Sequence, residues 1–410
     1  MSFENNYKLK DNQETMQEYL GYDLPELEYR GALHTAKEIS TQPELWLKTW
    51  KLVAYHQASL AKFLKNIYAH ETLDIIIAGA GTSAFIGNIL QGTFKRNTGK
   101  STYAIATTDL VSHPEDYLRP EHPTLLISFA RSGNSPESIA AVNLVNTRCR
   151  KVYHLIITCN PSGQLATNKY DKNTFIFLLP PESNDLGLAM TGSFTSMLLT
   201  GLLISQIERL EALKNQVEQL AIYGEKIISK YSSSLQKVAT LDFQRAIFLG
   251  SGPLLGTARE SQLKLQELTD GKVICNYDSF LGLRHGPQAV INSHTLLVYL
   301  FSNREYVHPY EVDLIKAINK GEKGLFQIGV TESPQKDLKP DLMIELSSGN
   351  EKIEEEFLAV CSVIPAQIIG FYKSLHLGLK PDSPSVNGAI SRVVQGVTIY
   401  PYHSAGPPEA

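Results

Sequence analysis

Two short turns in this 410-residue chain combine glycine with hydroxyl side chains in a way that could hold an anion. The first is Arg131-Ser132-Gly133-Asn134-Ser135-Pro136-Glu137-Ser138. It follows the apolar run Leu125 to Ser128 and leads into Ile139, Val142 and Val145 at helical spacing. Pro136 suits the first helical position and Ser135 the N-cap, so the turn would present hydroxyls and backbone N–H groups at the positive end of a helix. Arg131 would add a permanent charge suited to a phosphate monoester. A capped helix start with no ligand uses the same letters, and both readings stand at this point. The second turn is Gly79-Ala80-Gly81-Thr82-Ser83-Ala84, after the apolar run Leu73 to Ala78. Its glycines let backbone approach a ligand, and Thr82 and Ser83 place hydroxyls at a helix start. The same letters satisfy the dinucleotide pattern G-x-G-x-x-A, with Asp109 after Tyr103 to Thr108 in the place of a ribose-binding acid. Two turns converging on one compact phosphate account for both, whereas a dinucleotide leaves the hydroxyls of Ser132 to Ser135 without a task.

Proton chemistry points further along the chain. Glu260, Lys264 and Glu267 recur at i, i+4 and i+7, so two carboxylates flank one ammonium on a single helical face. The ordinary form of such a row is an exposed salt-bridge ladder. Its place in the helix after Gly252, directed at a crevice between domains, is what would make it catalytic. Arg284-His285-Gly286-Pro287 puts an imidazole, the side chain that titrates near neutral pH, in a Gly- and Pro-punctuated loop. Exposed loop histidines without a function are common.

The elements that would position these residues alternate between strand and helix. Strands are predicted at Leu73 to Ala78, Tyr103 to Thr108, Leu125 to Ser128, Val152 to Thr158 and Phe175 to Leu179, giving an α/β fold with a mostly parallel, doubly wound sheet. A long helical pattern from about Ser193 to Tyr231 connects to a second set: Ala246 to Leu249, Lys272 to Asn276, Thr295 to Phe301, Leu325 to Val330 and Leu342 to Ile344. Gly250-Ser251-Gly252 echoes Gly79-Ala80-Gly81, so the second half reads as a duplicate of the first. Pro253 and Leu254 stand where Thr82 and Ser83 stand, which assigns the phosphate to the first copy. The expected division is an N-terminal surface arm, 1–42, with one helix around Leu24 to Ile39; a first domain, 43–232; and a second, 233–410.

Composition narrows the class. With 38 Lys plus Arg against 42 Asp plus Glu, the formal charge is −4, and no basic field exists to collect nucleic acid or an anionic membrane. Hydrophobic residues at 43% argue against disorder as the main state. Cys149, Cys159, Cys275 and Cys361 have no metal-like spacing and fit reduced thiols of a cytoplasmic protein. The first residues, MSFENNYKLKDNQETM, lack the apolar core of a secretory signal, and no apolar run reads as a membrane span.

Taken together, the GAGTS turn after its strand, SFARSGNSPES, ARESQLKLQELT, the RHGP loop and the tail PDSPSVNGAISRVVQGVTIYP closely resemble tandem sugar isomerase (SIS) proteins, in the galactosamine-6-phosphate deaminase or tagatose-6-phosphate ketose/aldose isomerase branch. The resemblance spans about Leu45 to Tyr402. It implies two flavodoxin-like αβα domains and no metal or redox cofactor. It also implies a phosphorylated hexosamine or hexose bound through Gly81, Thr82, Ser83, Arg131, Ser132, Asn134 and Ser135. By the same resemblance Glu267 is the general base, Lys264 lies beside it, and His285 opens the sugar ring from the partner subunit of a homodimer. Two positions depart from the related isomerase half of glucosamine-6-phosphate synthase: Arg131 replaces a neutral contact, and Gln395 stands where the synthase has its imine-forming lysine. The implied reaction releases ammonia from galactosamine 6-phosphate. Plain aldose/ketose isomerisation and non-catalytic sugar-phosphate sensing are the competing readings.

Overall fold

The computed structural model describes residues 17–402 apart from 170, 335, 336, 348, 350, 351 and 395, so Gln395 lies outside the described residues. Two five-stranded sheets carry the chain. The first holds β1 (Asp74–Gly79), β2 (Ser101–Ala106), β3 (Thr124–Ala130), β4 (Val152–Thr158) and β5 (Thr174–Leu178) in the order β2-β1-β3-β4-β5. The second holds β6 (Arg245–Leu249), β7 (Ile274–Asp278), β8 (Thr295–Leu300), β9 (Phe326–Thr331) and β10 (Leu342–Glu345) in the matching order β7-β6-β8-β9-β10. All pairs in both sheets are parallel, with Ile77 opposite Ala104 on one side and Ile127 on the other. This is the doubly wound α/β order, in which the crevice for a ligand opens where the winding reverses, outside the carboxyl ends of β1 and β3. Both hydroxyl-bearing turns leave the sheet there.

The central strands read as apolar runs because both faces are covered. Ile75, Ile77, Leu125, Ile127 and Phe129 of the first sheet and Ala246, Phe248, Leu296 and Val298 of the second belong to one continuous core. Their alternates, Ile76, Ala78 and Leu126, or Ile247, Leu249 and Leu297, pack outward into two separate clusters. The two halves therefore share a core and meet through helices. Among these are α4 (Thr82–Thr98), α6 (Gly192–Ile204), every residue of which is buried, and α7 (Pro253–Leu268). A Cβ on Gly256 of α7 would stand 2.5 Å from Ile89 of α4, so the glycine is what lets these helices touch.

Three expectations change. The N-terminal arm is two helices, α1 (Leu24–Arg30) and α2 (Leu33–Ser40), divided where Gly31 turns left-handed at φ 59°. It is not a surface feature, because Leu27, Ala36 and Ile39 are fully buried in the shared core. Asp109 is not at a strand end: β2 stops at Ala106 and Asp109 lies within the helix Thr107–Ser112, which removes the ribose-binding acid of the dinucleotide reading. The long pattern after Ser193 is broken after Ile204 by the 3-10 segment Ile207–Leu213 and again by a π turn at Ile227–Tyr231. One helical run, Glu355–His376, which comprises α8 (Glu355–Cys361) and α9 (Ile364–His376), is long and apolar enough to cross a bilayer, and 94% of its apolar 18-residue stretch is buried inside the protein.

Candidate active site

A cavity of about 830 Å³ opens at the crevice between β1 and β3. Gly81, Thr82, Ser83, Arg131, Ser132, Ser135 and Ser138 line it from the first half, and Glu267 from the second. Backbone conformation explains the first turn. Gly81 caps α4 at φ 56°, where only glycine is unstrained, and a Cβ on Gly79 would stand 2.6 Å from the backbone of Ser83. In the second turn the Ser135 hydroxyl donates to Ser138 Oγ at 2.6 Å rather than capping a backbone N–H. Ser132 Oγ accepts the Asn134 N–H at 3.2 Å, and the Asn160 side-chain amide donates to the Ser132 carbonyl at 2.9 Å, which fixes the turn from behind. The result is a set of hydroxyls at the starts of two helices, the donor arrangement a phosphate monoester needs.

Glu260, Lys264 and Glu267 form the row expected from their spacing, but it is not the exposed ladder that such spacing ordinarily makes. Lys264 and Glu260 are sealed from solvent, and only Glu267, with 15% of its side chain exposed, reaches the cavity. Lys264 Nζ stands 3.1 Å from Glu260 Oε1, pairs closely with Glu267 Oε1, and donates to Thr82 Oγ1 at 3.2 Å. Burial drives the Glu260 carboxyl up to about 8 against the pull of Lys264, with Glu267 adding to the rise. Burial acts to lower Lys264, and the two carboxylates outweigh it and hold the ammonium above the ordinary lysine range. The row is thus a buried ammonium clamping one carboxylate whose free side faces the crevice.

Several predicted site residues take other places. Thr82 turns its hydroxyl into the ion row, donating to Glu260 Oε1 at 3.3 Å. Lys264 is fully buried behind Glu267 and is not among the residues that line the cavity. Asn134 is outside the lining, its Oδ1 accepting the Gln164 N–H at 2.9 Å. Arg131 lines the cavity, yet its guanidinium donates to the carbonyls of Gly187 and Leu188 at 3.3 and 3.1 Å and to that of Arg392. It fastens the C-terminal segment across the cavity mouth. His285 is exposed on a 3-10 turn and does not line the cavity of its own chain.

Sequence reasoning missed the rest of the wall. Gln266 and Asp270, from α7 and the turn after it, and Gly388 to Val394 line the cavity; Gln266 and the tail fall within segments that carry the resemblance, but neither they nor Asp270 were singled out as site residues. The N-terminal helices contribute from behind. Glu38 accepts the N–H groups of Leu186 and Gly187 at 2.5 and 3.3 Å, and Asp382 accepts from Thr35 N and Oγ1 at 2.7 Å each. Glu38 is pushed up to about 9 by burial first and by the charge of Asp185 second.

In the second half a carboxylate of the chain itself stands at the equivalent turn. Gly252 repeats the Gly81 conformation at φ 57° and ψ −129°, against 56° and −127°. Ser302 Oγ accepts the Arg304 N–H at 3.1 Å, as Ser132 Oγ accepts that of Asn134. There the buried Glu355 occupies the hydroxyl: Ser302 donates to its Oε1, and Arg304 Nε stands 2.6 Å from its Oε2.

The geometry meets its relatives at this point. The SIS domain family model matches residues 68–207, the first sheet and its helices. D-galactosamine-6-phosphate deaminase AgaS of Escherichia coli O157:H7 is 39% identical over 372 residues, which is 90% of this chain and 96% of that one. This chain belongs to the AgaS family. Another member, D-galactosamine-6-phosphate deaminase AgaS of Shewanella sp. (strain ANA-3), is 39% identical over 91% of this chain and 93% of its own. The crystal structure of tagatose-6-phosphate ketose/aldose isomerase from Escherichia coli superposes with a TM-score of 0.83 at 37% identity, covering 90% of this chain and 97% of that one. For a family whose named members handle sugar phosphates, a hydroxyl-lined helix-start cavity with the carboxylates of Glu267 and Asp270 in its wall is a coherent site.

Proposed function

We propose that the chain is an enzyme that converts D-galactosamine 6-phosphate and water into D-tagatose 6-phosphate and ammonia. The observation that carries this reading is Glu267, a carboxylate clamped by Lys264 and facing the same cavity as Ser83, Ser132 and Ser135. The phosphate sits among those hydroxyls and the N–H groups of α4 and of α5 (Pro136–Arg148), which orients the sugar for reaction at its far end. Opening of the ring exposes the C1 aldehyde and acidifies the hydrogen on C2. Glu267 takes that proton and returns it to C1, passing through an enolamine whose charge on O1 is met by backbone N–H donors. The ketimine left at C2 adds water and expels ammonia. His285, exposed on its own subunit, reaches the ring oxygen from a second copy of the chain in a homodimer.

We divide the chain into two SIS halves, 43–232 and 233–410, because the two sheets share one strand order and one Gly-x-Gly backbone turn. The four cysteines are unpaired thiols, which supports a cytoplasmic setting. The structural relative named for tagatose-6-phosphate isomerisation favours a second reading, the same proton transfer on a neutral sugar phosphate. Incubation with galactosamine 6-phosphate and with galactose 6-phosphate separates them: ammonia release from the first supports the proposal, and ketose formed from the second with no ammonia from the first replaces it.

A further inference from the structure

Thr82 and Ser83 are neighbours at the start of α4, and their side chains serve different places. Ser83 faces the cavity, whereas the Thr82 hydroxyl enters the buried ion row as acceptor from Lys264 at 3.2 Å and donor to Glu260 at 3.3 Å. Among the described residues these are the only hydrogen bonds that the side chains of the row make outside their own helix. They are also the contacts by which the phosphate turn of the first half touches the carboxylate of the second.

The row is short of donors. Two carboxyl groups share one ammonium, and Glu260 Oε2 is buried without a partner. Thr82 supplies Glu260 with its one donor besides Lys264, which leaves the ammonium free to hold Glu267. Without that hydroxyl Lys264 is drawn toward Glu260, and the fixed placement of Glu267 is lost. Both Thr82 contacts are long for hydrogen bonds, so a shift of a few tenths of an ångström in the Gly81–Ser83 turn strengthens or breaks them.

We infer that Thr82 is a positioning residue that couples the phosphate turn to the base, so that a phosphate seated on Ser83 aligns Glu267 and raises the rate of proton transfer as well as affinity. This rests on the reading of Glu267 as the base and of the turns as the phosphate site. Binding energy from the remote phosphate is thereby spent at the reacting carbon.

The test uses the whole enzyme with galactosamine 6-phosphate, and with galactosamine in the presence and absence of inorganic phosphate. Wild type is expected to release ammonia from galactosamine at least about tenfold faster when phosphate saturates the turn. Thr82→Val, which keeps shape and loses the hydroxyl, is expected to bind phosphate within about threefold of wild type and to lose the acceleration. On the whole substrate its kcat should fall by about 10- to 100-fold with KM within about threefold, and Thr82→Ser should restore both. Thr82→Ala serves if the valine variant does not fold, and the kcat against KM split decides if galactosamine alone turns over too slowly to read. Acceleration by phosphate that survives in Thr82→Val, a kcat within about threefold of wild type, or a change confined to KM overturns the coupling. Failure of wild type to turn over galactosamine 6-phosphate at all defeats the functional reading instead.

Discussion

Ser132 and Ser302 occupy the same position in the two halves: each lies two residues beyond the end of the third strand of its sheet, and each hydroxyl accepts the backbone N–H two residues further on. The first faces an open cavity and the second is taken up by Glu355. A carboxylate there satisfies the hydroxyl and Arg304 as a bound anion would, so the second half needs no ligand.

One phosphate per chain is therefore expected, and titration of the dephosphorylated site with inorganic phosphate should saturate at one equivalent. Glu355→Ala leaves Ser302 without its acceptor and removes one of the two carboxylate partners of Arg304, which keeps Glu356 at 3.0 Å. Thermal unfolding should show a loss of about 1–3 kcal/mol while KM for galactosamine 6-phosphate stays within about twofold. A changed KM with unchanged stability would place Glu355 at the wrong crevice.

Glu38 makes stability depend on pH. With a folded value of about 9 against an ordinary 4.5, the folded state holds a proton that the unfolded chain releases. Stability should fall as pH rises through that window, at up to about 1.4 kcal/mol per pH unit for one group, and level off above it. Glu38→Gln keeps the acceptor for Leu186 and Gly187 but cannot ionise. Melting temperatures of the variant and wild type should agree near pH 5 and diverge in the variant's favour toward pH 9. Parallel curves across that range would contradict the assignment.

If His285 serves the neighbouring subunit, two inactive variants should repair one another. Glu267→Gln and His285→Ala homodimers are each expected to be slow, and a random 1:1 mixture of the two chains should regain about a quarter of wild-type activity, because half of its dimers are mixed and one of the two sites in each mixed dimer is intact. No recovery on subunit exchange would mean that His285 does not serve the neighbouring subunit's site.

Much of this was legible in the residues. Apolar strand runs, the paired Gly-x-Gly turns and helical spacing at Glu260, Lys264 and Glu267 are local signals, and local signals survive folding. What spacing could not show is burial: the same i, i+4, i+7 row serves a solvated face or a sealed clamp, and here Gly256 draws α7 against α4 and seals it. Direction was equally hidden. Thr82 and Arg131 stand in the right turns, yet one hydroxyl points into the ion row and one guanidinium binds three carbonyls, because each found a partner far away in sequence. The arm was misread for a related reason, since Leu27 and Ile39 are buried in a core built from both halves, far away in sequence.

The most direct measurement is ammonia release by Glu267→Gln beside the affinity of the same variant for galactosamine 6-phosphate. Loss of turnover by at least about 1,000-fold, with the dissociation constant within about fivefold of wild type, is the result expected if this carboxylate moves the proton. Turnover within about tenfold of wild type would mean that the proton is moved by another group.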